Sequence, residues 1–133
     1  MRIILIYLLG LIAAHAQLAV TVAPPKIVGK KAVVPLAIRN GFSTKIESAR
    51  AVVFLLNEQG KMLGQSTRWV IGGSQDKPGL AAGATNAFHF VIAGDKPFAT
   101  TNLTAKVTFS RVILEGGKIS DVSKSVQIEH ANK

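Results

Sequence analysis

The stretch 103–110, LTAKVTFS, has the most regular pattern in the sequence, because apolar and polar side chains alternate along its whole length. Successive side chains of a β-strand point to opposite faces, so a two-residue period is typical of a strand with one buried face and one wet face. The outward face would then carry Thr104, Lys106, Thr108 and Ser110. The inward face would carry Leu103, Ala105, Val107 and Phe109.

Similar short stretches recur along the chain, each rich in Val, Ile, Thr or Phe and bounded by Gly, Pro, Asn or Asp. Within one of them, we expect Leu63, Thr67, Trp69 and Ile71 to share one face. No stretch shows a sustained helical period, which excludes a fold built from βαβ units. The sequence predicts an all-β, antiparallel, immunoglobulin-like or fibronectin-type-III-like β-sandwich of about seven strands, with a small closed barrel as the alternative. The predicted strands span 18–22, 31–40, 49–56, 62–71, 87–92, 103–110 and 119–129.

Residues 1–16 have the features of a secretory signal peptide. Arg2 supplies a positive charge, the run 3–14 is apolar, and the small side chains of Ala14 and Ala16 fit the Ala-x-Ala rule. We therefore expect cleavage between Ala16 and Gln17. The mature chain, a single domain over 17–133, would be secreted or periplasmic and would keep no transmembrane anchor. An uncleaved anchor and a buried amino-terminal element are the alternatives, although a membrane span takes about 20 apolar residues.

A second pattern lies near the middle of the chain. Residues 53–64, VFLLNEQGKMLG, join the end of a strand to a Gly-Lys hairpin, and a later LAAG turn at 80–83 precedes Phe88. This combination resembles the bacterial extracytoplasmic FxLYD-type domains over roughly residues 31–93. The resemblance implies a small immunoglobulin-like module exported from a bacterial cytoplasm. Because that family shares no common activity, it assigns no functional residue.

The composition leaves few side chains for catalysis. The 133-residue chain has no Cys, which excludes thiolate metal sites, disulfides and cysteine nucleophiles. We expect His89 on the outward face of its strand and His130 in a frayed tail. Acids such as Asp76 and Asp95 fall singly in loops, which favours solvation over a carboxylate pair or a calcium site. The sequence therefore predicts no enzyme, no catalytic residue, no cofactor and no metal.

The charge is strongly one-sided, with 16 Lys and Arg against 7 Asp and Glu and a formal net charge of +9. Such a balance favours anionic polymers and surfaces, but basic residues scattered singly are also typical of an ordinary solvated surface. Arg68 and Trp69 alone pair a cation with an aromatic ring, as readers of single-stranded nucleic acid do. Since we expect Trp69 in the core, no specific nucleic-acid recognition is predicted.

Two further aromatic residues fall in predicted loops, where binding residues concentrate. Phe42 follows the Asn40-Gly41 turn and Phe98 follows Pro97. Each could anchor a partner or plug an end of the sandwich, and with Arg68 and Trp69 they are the binding candidates. The leading hypothesis is an exported, non-enzymatic binding or assembly module that meets a protein partner through loops or a sheet edge. A basic binder of anionic polymers or envelope surfaces is the alternative, and an unrecognised hydrolase comes third.

Overall fold

The computed structural model describes residues 17–74, 77–100 and 102–131. The predicted signal peptide and Ala16 lie outside the described residues, as does Asp76. Gln17, where the mature chain is predicted to begin, donates its backbone N–H to the carbonyl of Ser125 (3.0 Å) and accepts the N–H of Gly41 (2.6 Å).

The described part of the chain forms nine strands, a 3-10 turn at Glu115–Gly117 and one short helix. The helix is α1 (Val122–Ser125). The strands are β1 (Leu18–Val22), β2 (Lys26–Val28), β3 (Lys31–Asn40), β4 (Ile46–Leu56), β5 (Met62–Ile71), β6 (Thr85–Ala93), β7 (Thr104–Leu114), β8 (Lys118–Ile119) and β9 (Val126–His130).

One sheet is organised around β3, and we call it the β3 sheet. Strand β6 pairs antiparallel with one edge of β3, whereas β1 and β2 share the other edge end to end. Pro24 and Pro25 separate β1 from β2, since proline has no N–H to donate to a ladder. Strand β9 completes the sheet by pairing parallel with β1.

The other sheet, the β4 sheet, has the order β5-β4-β7-β8 with antiparallel neighbours. The core lies between the two sheets and consists of the inward side chains of each. Phe90, Ile38 and Leu18 are fully buried on the β3 sheet, and Leu55 and Val53 are fully buried on the β4 sheet. The inward face predicted for 103–110 is also buried, and its outward face is exposed.

The predicted all-β sandwich is confirmed, with two separate sheets and nine strands in place of about seven. The largest difference falls in 119–129, which was predicted as a single strand. Its first part forms β8, and Asp121 then caps α1 by accepting hydrogen bonds from the backbone N–H (3.0 Å) and hydroxyl (2.7 Å) of Ser123. This one-turn helix carries the chain across to the β3 sheet, where β9 begins. The parallel pairing of β9 with β1 is therefore an exception to the antiparallel prediction.

Candidate binding surfaces

The first candidate surface is the free edge of β6. Nine consecutive pairs, from Lys31 opposite Ala93 to Arg39 opposite Thr85, join β6 to β3 without a register shift. No described strand pairs with the other edge of β6. The strand sequence, TNAFHFVIA, contains no Lys, Arg, Asp, Glu or Pro, and the side chain of Val91 is 44% exposed. It therefore lacks the charges, prolines and bulges that natural proteins use to block strand addition.

The neighbouring edge strand, β5, has these protections. Its pairing with β4 is irregular at both ends, because Leu63 and Val70 have no opposite residue. Arg68 stands opposite Ala51, whose side chain faces the core, so a charge occupies an inward position of this edge strand. Bulges and inward-pointing charges both discourage the addition of another strand. The neighbouring edges at β5 and β6 thus differ in how readily they can pair with an added strand.

Strands β5 and β6 lie side by side where the two sheets meet. The sheets approach closely there, because a Cβ added to Gly64 would lie 2.8 Å from Cγ2 of Ile92. A cavity of about 360 Å³ opens near the start of β6, lined by Ile71, Leu80 and Phe88 among others. A second cavity, of about 640 Å³, opens beyond its end and includes Leu63 and Phe98.

The second candidate surface is the outward face of the β4 sheet, where the prediction for Trp69 is wrong. The bulge at Val70 places Ile71 opposite Ala49 and Trp69 opposite Arg50. Trp69 and Ile71 therefore lie on opposite faces, and the indole is on the outside instead of in the core. The guanidinium carbon of Arg50 lies 5.5 Å from the centre of the indole ring. Arg68 is not part of this pair, because its register position is on the inward face.

A second bulge lies on the other side of Arg50. Arg50 is opposite Arg111 of β7, the next residue, Ala51, is opposite Phe109, and Ser110 is the extra residue between them. Ser110 and Arg111 are both exposed. The Nε of Arg50 donates to Oγ of Ser110 at 2.9 Å. We call Arg50, Trp69, Ser110 and Arg111 the Arg50 cluster.

The sequence contained one signal for this cluster that its interpretation missed. Arg50 interrupts the otherwise apolar run 49–56, and an arginine in a central strand must either point outward or be paired. The bulges that bring Trp69 and Arg111 beside it have no comparable signal in the residues.

The two loop aromatics lie at the ends of the sandwich. Phe42 is buried in the core, and its backbone N–H donates to Oδ1 of the fully buried Asn40 at 2.8 Å. The amide of Asn40 donates in turn to the carbonyls of Thr44 (3.0 Å) and Leu80 (2.9 Å). Phe98 is half-buried and packs against the core at the 640 Å³ cavity. Both positions match the alternative in which these side chains plug the ends of the sandwich and do not anchor a partner.

The titratable side chains are dispersed. His89 is exposed on the outward face of the β3 sheet, opposite Pro35. The prediction of a frayed tail at His130 is wrong, because His130 ends β9 and its Nε2 lies 2.9 Å from the carbonyl of Ala105. No group of three or more His, Asp or Glu that could hold a metal occurs among the described residues. In the same part of the chain, no helix has the length and apolar character needed to cross a bilayer.

The comparisons with known proteins concern the fold. No family model and no curated protein matches the chain. The chain is similar to the crystal structure of the ApaA protein of Bordetella pertussis, with a TM-score of 0.53, 19% identity and coverage of 77% of this chain and 84% of that one. It is also similar to IrmA of Escherichia coli, with a TM-score of 0.50, 9% identity and coverage of 90% and 96%. At these identities the similarity shows a shared fold alone, and the FxLYD resemblance stays a prediction.

Proposed function

We propose that this protein is an exported, non-enzymatic binding module that adds an extended segment of a partner protein to the free edge of β6. The observation that carries this proposal is the contrast between the two neighbouring edges. Strand β6 is long, regular and uncharged, whereas β5 is bulged at both ends and carries Arg68 inward. About half of the backbone N–H and C=O groups of an edge strand point away from its sheet and can pair with an added strand.

The surroundings of β6 also suit an extended peptide. In strand addition, the main chain supplies affinity and hollows for alternate side chains supply specificity. The 360 Å³ cavity has an apolar wall formed by Ile71, Leu80 and Phe88. Lys77 also lines this cavity, and its ammonium lies 5.8 Å from the Phe88 ring centre. We therefore propose a partner segment with an apolar side chain followed by a carboxylate.

Two further observations support the proposal that the protein is exported and non-enzymatic. Residues 1–16 have the pattern of a signal peptide, which favours export. His130 is engaged with a backbone carbonyl, and no hydrogen bond joins either His130 or the exposed His89 to an acid among the described residues, whereas a hydrolytic triad requires an orienting acid. Export is tested by sequencing the amino terminus of the protein recovered outside the cytoplasm, which should begin at Gln17.

The binding test uses the full chain with a carboxyl-terminal tag, recovered with its partners from the envelope of its own host. Val91→Lys places a charge beside the free edge, and lysine on an edge strand opposes pairing. Ala19→Lys is the matched control, since Ala19 is exposed on the same sheet but lies in β1, between β3 and β9. We expect Val91→Lys to lose the partner and Ala19→Lys to retain it.

Hydrogen exchange on the recovered complex locates the contact. Binding through the edge should slow exchange of alternate amides in β6, because alternate N–H groups face the added strand. Retention of the partner by Val91→Lys, or protection confined to loops away from β6, would contradict the proposal. Equal loss of the partner in both variants would point to nonspecific charge effects and would also contradict it.

A further inference from the structure

Two bulges flank one residue of the β4 sheet. Val70 of β5 is inserted on one side of Arg50, and Ser110 of β7 is inserted on the other. Bulges are common next to functional sites because they re-aim side chains. Here the bulge in β5 turns Trp69 outward on one side of Arg50. The bulge in β7 places Ser110 and Arg111 on the exposed surface on its other side.

The indole of Trp69 is held in place on this surface. A Cβ added to Gly73, which has a φ of +92°, would lie 2.6 Å from Cβ of Trp69, so the glycine backbone packs directly against this side chain. The Arg50 guanidinium lies over the ring at 5.5 Å. The ring is therefore a fixed, partly exposed platform.

Among the described strands that carry the cluster, its positive charge is not balanced by an acidic residue. Arg50 and Arg111 are directly opposite in the ladder, and like charges in such positions repel. Strands β5 and β7 contain no Asp or Glu, and neither does β4 from Ser48 onward. Within the described part of the chain, the only side-chain hydrogen bond of the Arg50 guanidinium runs from Nε to Ser110, which leaves its two Nη groups for a ligand. An anion between the two guanidinium groups would relieve the repulsion and bind through paired N–H donors.

The surface continues along β4 from the cluster. Phe54 follows Arg50 on the same face after four residues, at a distance of about 13 Å. Lys106 is opposite Phe54, so a second exposed cation lies at this distance from the arginine pair. Val52 lies between Arg50 and Phe54 on this face, and the neutral, hydrogen-bonding side chains of Gln65, Thr67 and Thr108 lie beside it on the neighbouring strands.

We propose that this face binds an acidic polysaccharide. The arginine pair would take one carboxylate or sulfate, Lys106 would take another, and the part of the Trp69 indole that Arg50 and Gly73 leave open would contact the apolar face of a sugar ring. Hydroxyl and amide side chains between them would meet the sugar hydroxyls. Single-stranded nucleic acid fits less well, because it requires aromatic side chains for successive bases, and both Trp69 and Phe54 are half-buried on this face. This site is on a different sheet from the β6 edge and does not depend on the proposed protein partner.

Trp69 is the single Trp of the chain, so its fluorescence reports on the site directly. The full chain is titrated with polygalacturonate as the acidic glycan, with dextran as a neutral glycan and with poly(dT) as a nucleic acid. Polygalacturonate should change the fluorescence with an affinity that falls steeply as salt rises, whereas dextran should not bind. Equal binding of dextran would overturn the proposal, and so would tighter binding of poly(dT).

Variants separate the site from the general basic charge. Arg111→Gln should weaken polygalacturonate binding about tenfold, as expected for loss of a charge-assisted hydrogen-bond pair. Lys26→Gln removes the same charge from the other sheet and should change the affinity less than about twofold. Equal weakening by both variants would show that net charge alone causes binding, which overturns the site.

The second cation tests whether the ligand is a polymer. Lys106→Gln should weaken binding of polygalacturonate severalfold and leave the weak binding of monomeric galacturonate unchanged, because one sugar cannot span about 13 Å. An equal effect on both ligands would contradict the extended site. Thermal unfolding of each variant verifies that these exposed substitutions leave the fold intact.

Discussion

The β3 sheet and the β4 sheet cover the same core, but their ladders differ in regularity. Strands β3 and β6 pair through nine residues without a shift, whereas β4 has register shifts with both of its neighbours. In the regular ladder, alternation of residues in the sequence gives the face of each side chain. In the interrupted ladder, each bulge reverses that relation for the residues beyond it. The irregular sheet consequently carries Trp69 on its outward face, and the regular sheet has an unpaired edge at β6.

The largest expected effect comes from a pair of phenylalanines on the two sheets. Phe90→Ala empties a fully buried position on the inward face of the β3 sheet and should lower the free energy of unfolding by about 3–5 kcal/mol. Phe54→Ala removes a half-buried ring from the outward face of the β4 sheet and should cost about 1 kcal/mol. Urea unfolding of both variants measures the difference. Equal losses would contradict the assignment of Phe54 to the outward face.

A second pair compares two turn asparagines. Asn40→Ala, at the end of β3, would leave the N–H of Phe42 and the carbonyl of Leu80 without their side-chain partner in a buried turn, at a cost of about 2–3 kcal/mol. Asn57→Ala, after β4, removes an acceptor of the exposed N–H groups of Gln59 and Lys61, which water can replace. Its cost should be about 1 kcal/mol or less. Thermal and urea unfolding should agree on this order, and a reversed order would show that the buried turn is not held by Asn40.

Two glycines with positive φ extend the comparison to the strand ends. Gly72→Ala, after β5, would place a methyl group in collision with the carbonyl oxygen of Glu47 as well as straining a φ of +58°. Gly29→Ala, between β2 and β3, strains a φ of +60° but meets open space. We expect losses of about 2 kcal/mol and about 1 kcal/mol, respectively, in the free energy of unfolding. Similar losses would mean that the tight approach at the end of β5 relaxes easily.

The contrast between regular and bulged ladders also explains which parts of the structure could be predicted from the sequence. The fold class, most strands and the buried face of 103–110 follow from residue alternation, because hydrophobic burial selects that pattern in a sandwich. Trp69 was misplaced because a bulge depends on pairing between strands that are distant in sequence, which alternation within one strand does not record. The β8–α1–β9 segment was predicted as one strand because a single turn of helix has no periodicity to detect. The Arg50 cluster combines three strands, so its members are separated by up to about sixty residues in the chain.

The smallest expected effect concerns the link between the sheets. Hydrogen bonds from the hydroxyl and then the backbone N–H of Ser123 hold the pKa of Asp121 below its ordinary value of 3.8. A carboxyl group whose pKa is lower in the folded state stabilises the protein. This stabilisation is complete at pH values above the unfolded-state pKa and is lost as the pH falls through the folded-state pKa. Asp121→Asn should therefore have a lower free energy of unfolding than the unmodified protein at neutral pH, and the two values should converge in strong acid. A difference that grows with acidity would contradict the cap, and NMR titration of the carboxyl group measures the pKa itself.

The parallel pairing of β1 with β9 has a mechanical consequence. Leu18 is opposite Val126 and Val22 is opposite His130, so the first and last strands of the fold run in the same direction. A force that pulls the chain before β1 away from the chain after β9 drags these strands past each other along their length. The hydrogen bonds between them then share the load together and do not open one after another. In this geometry the sandwich resists tension applied through its two ends.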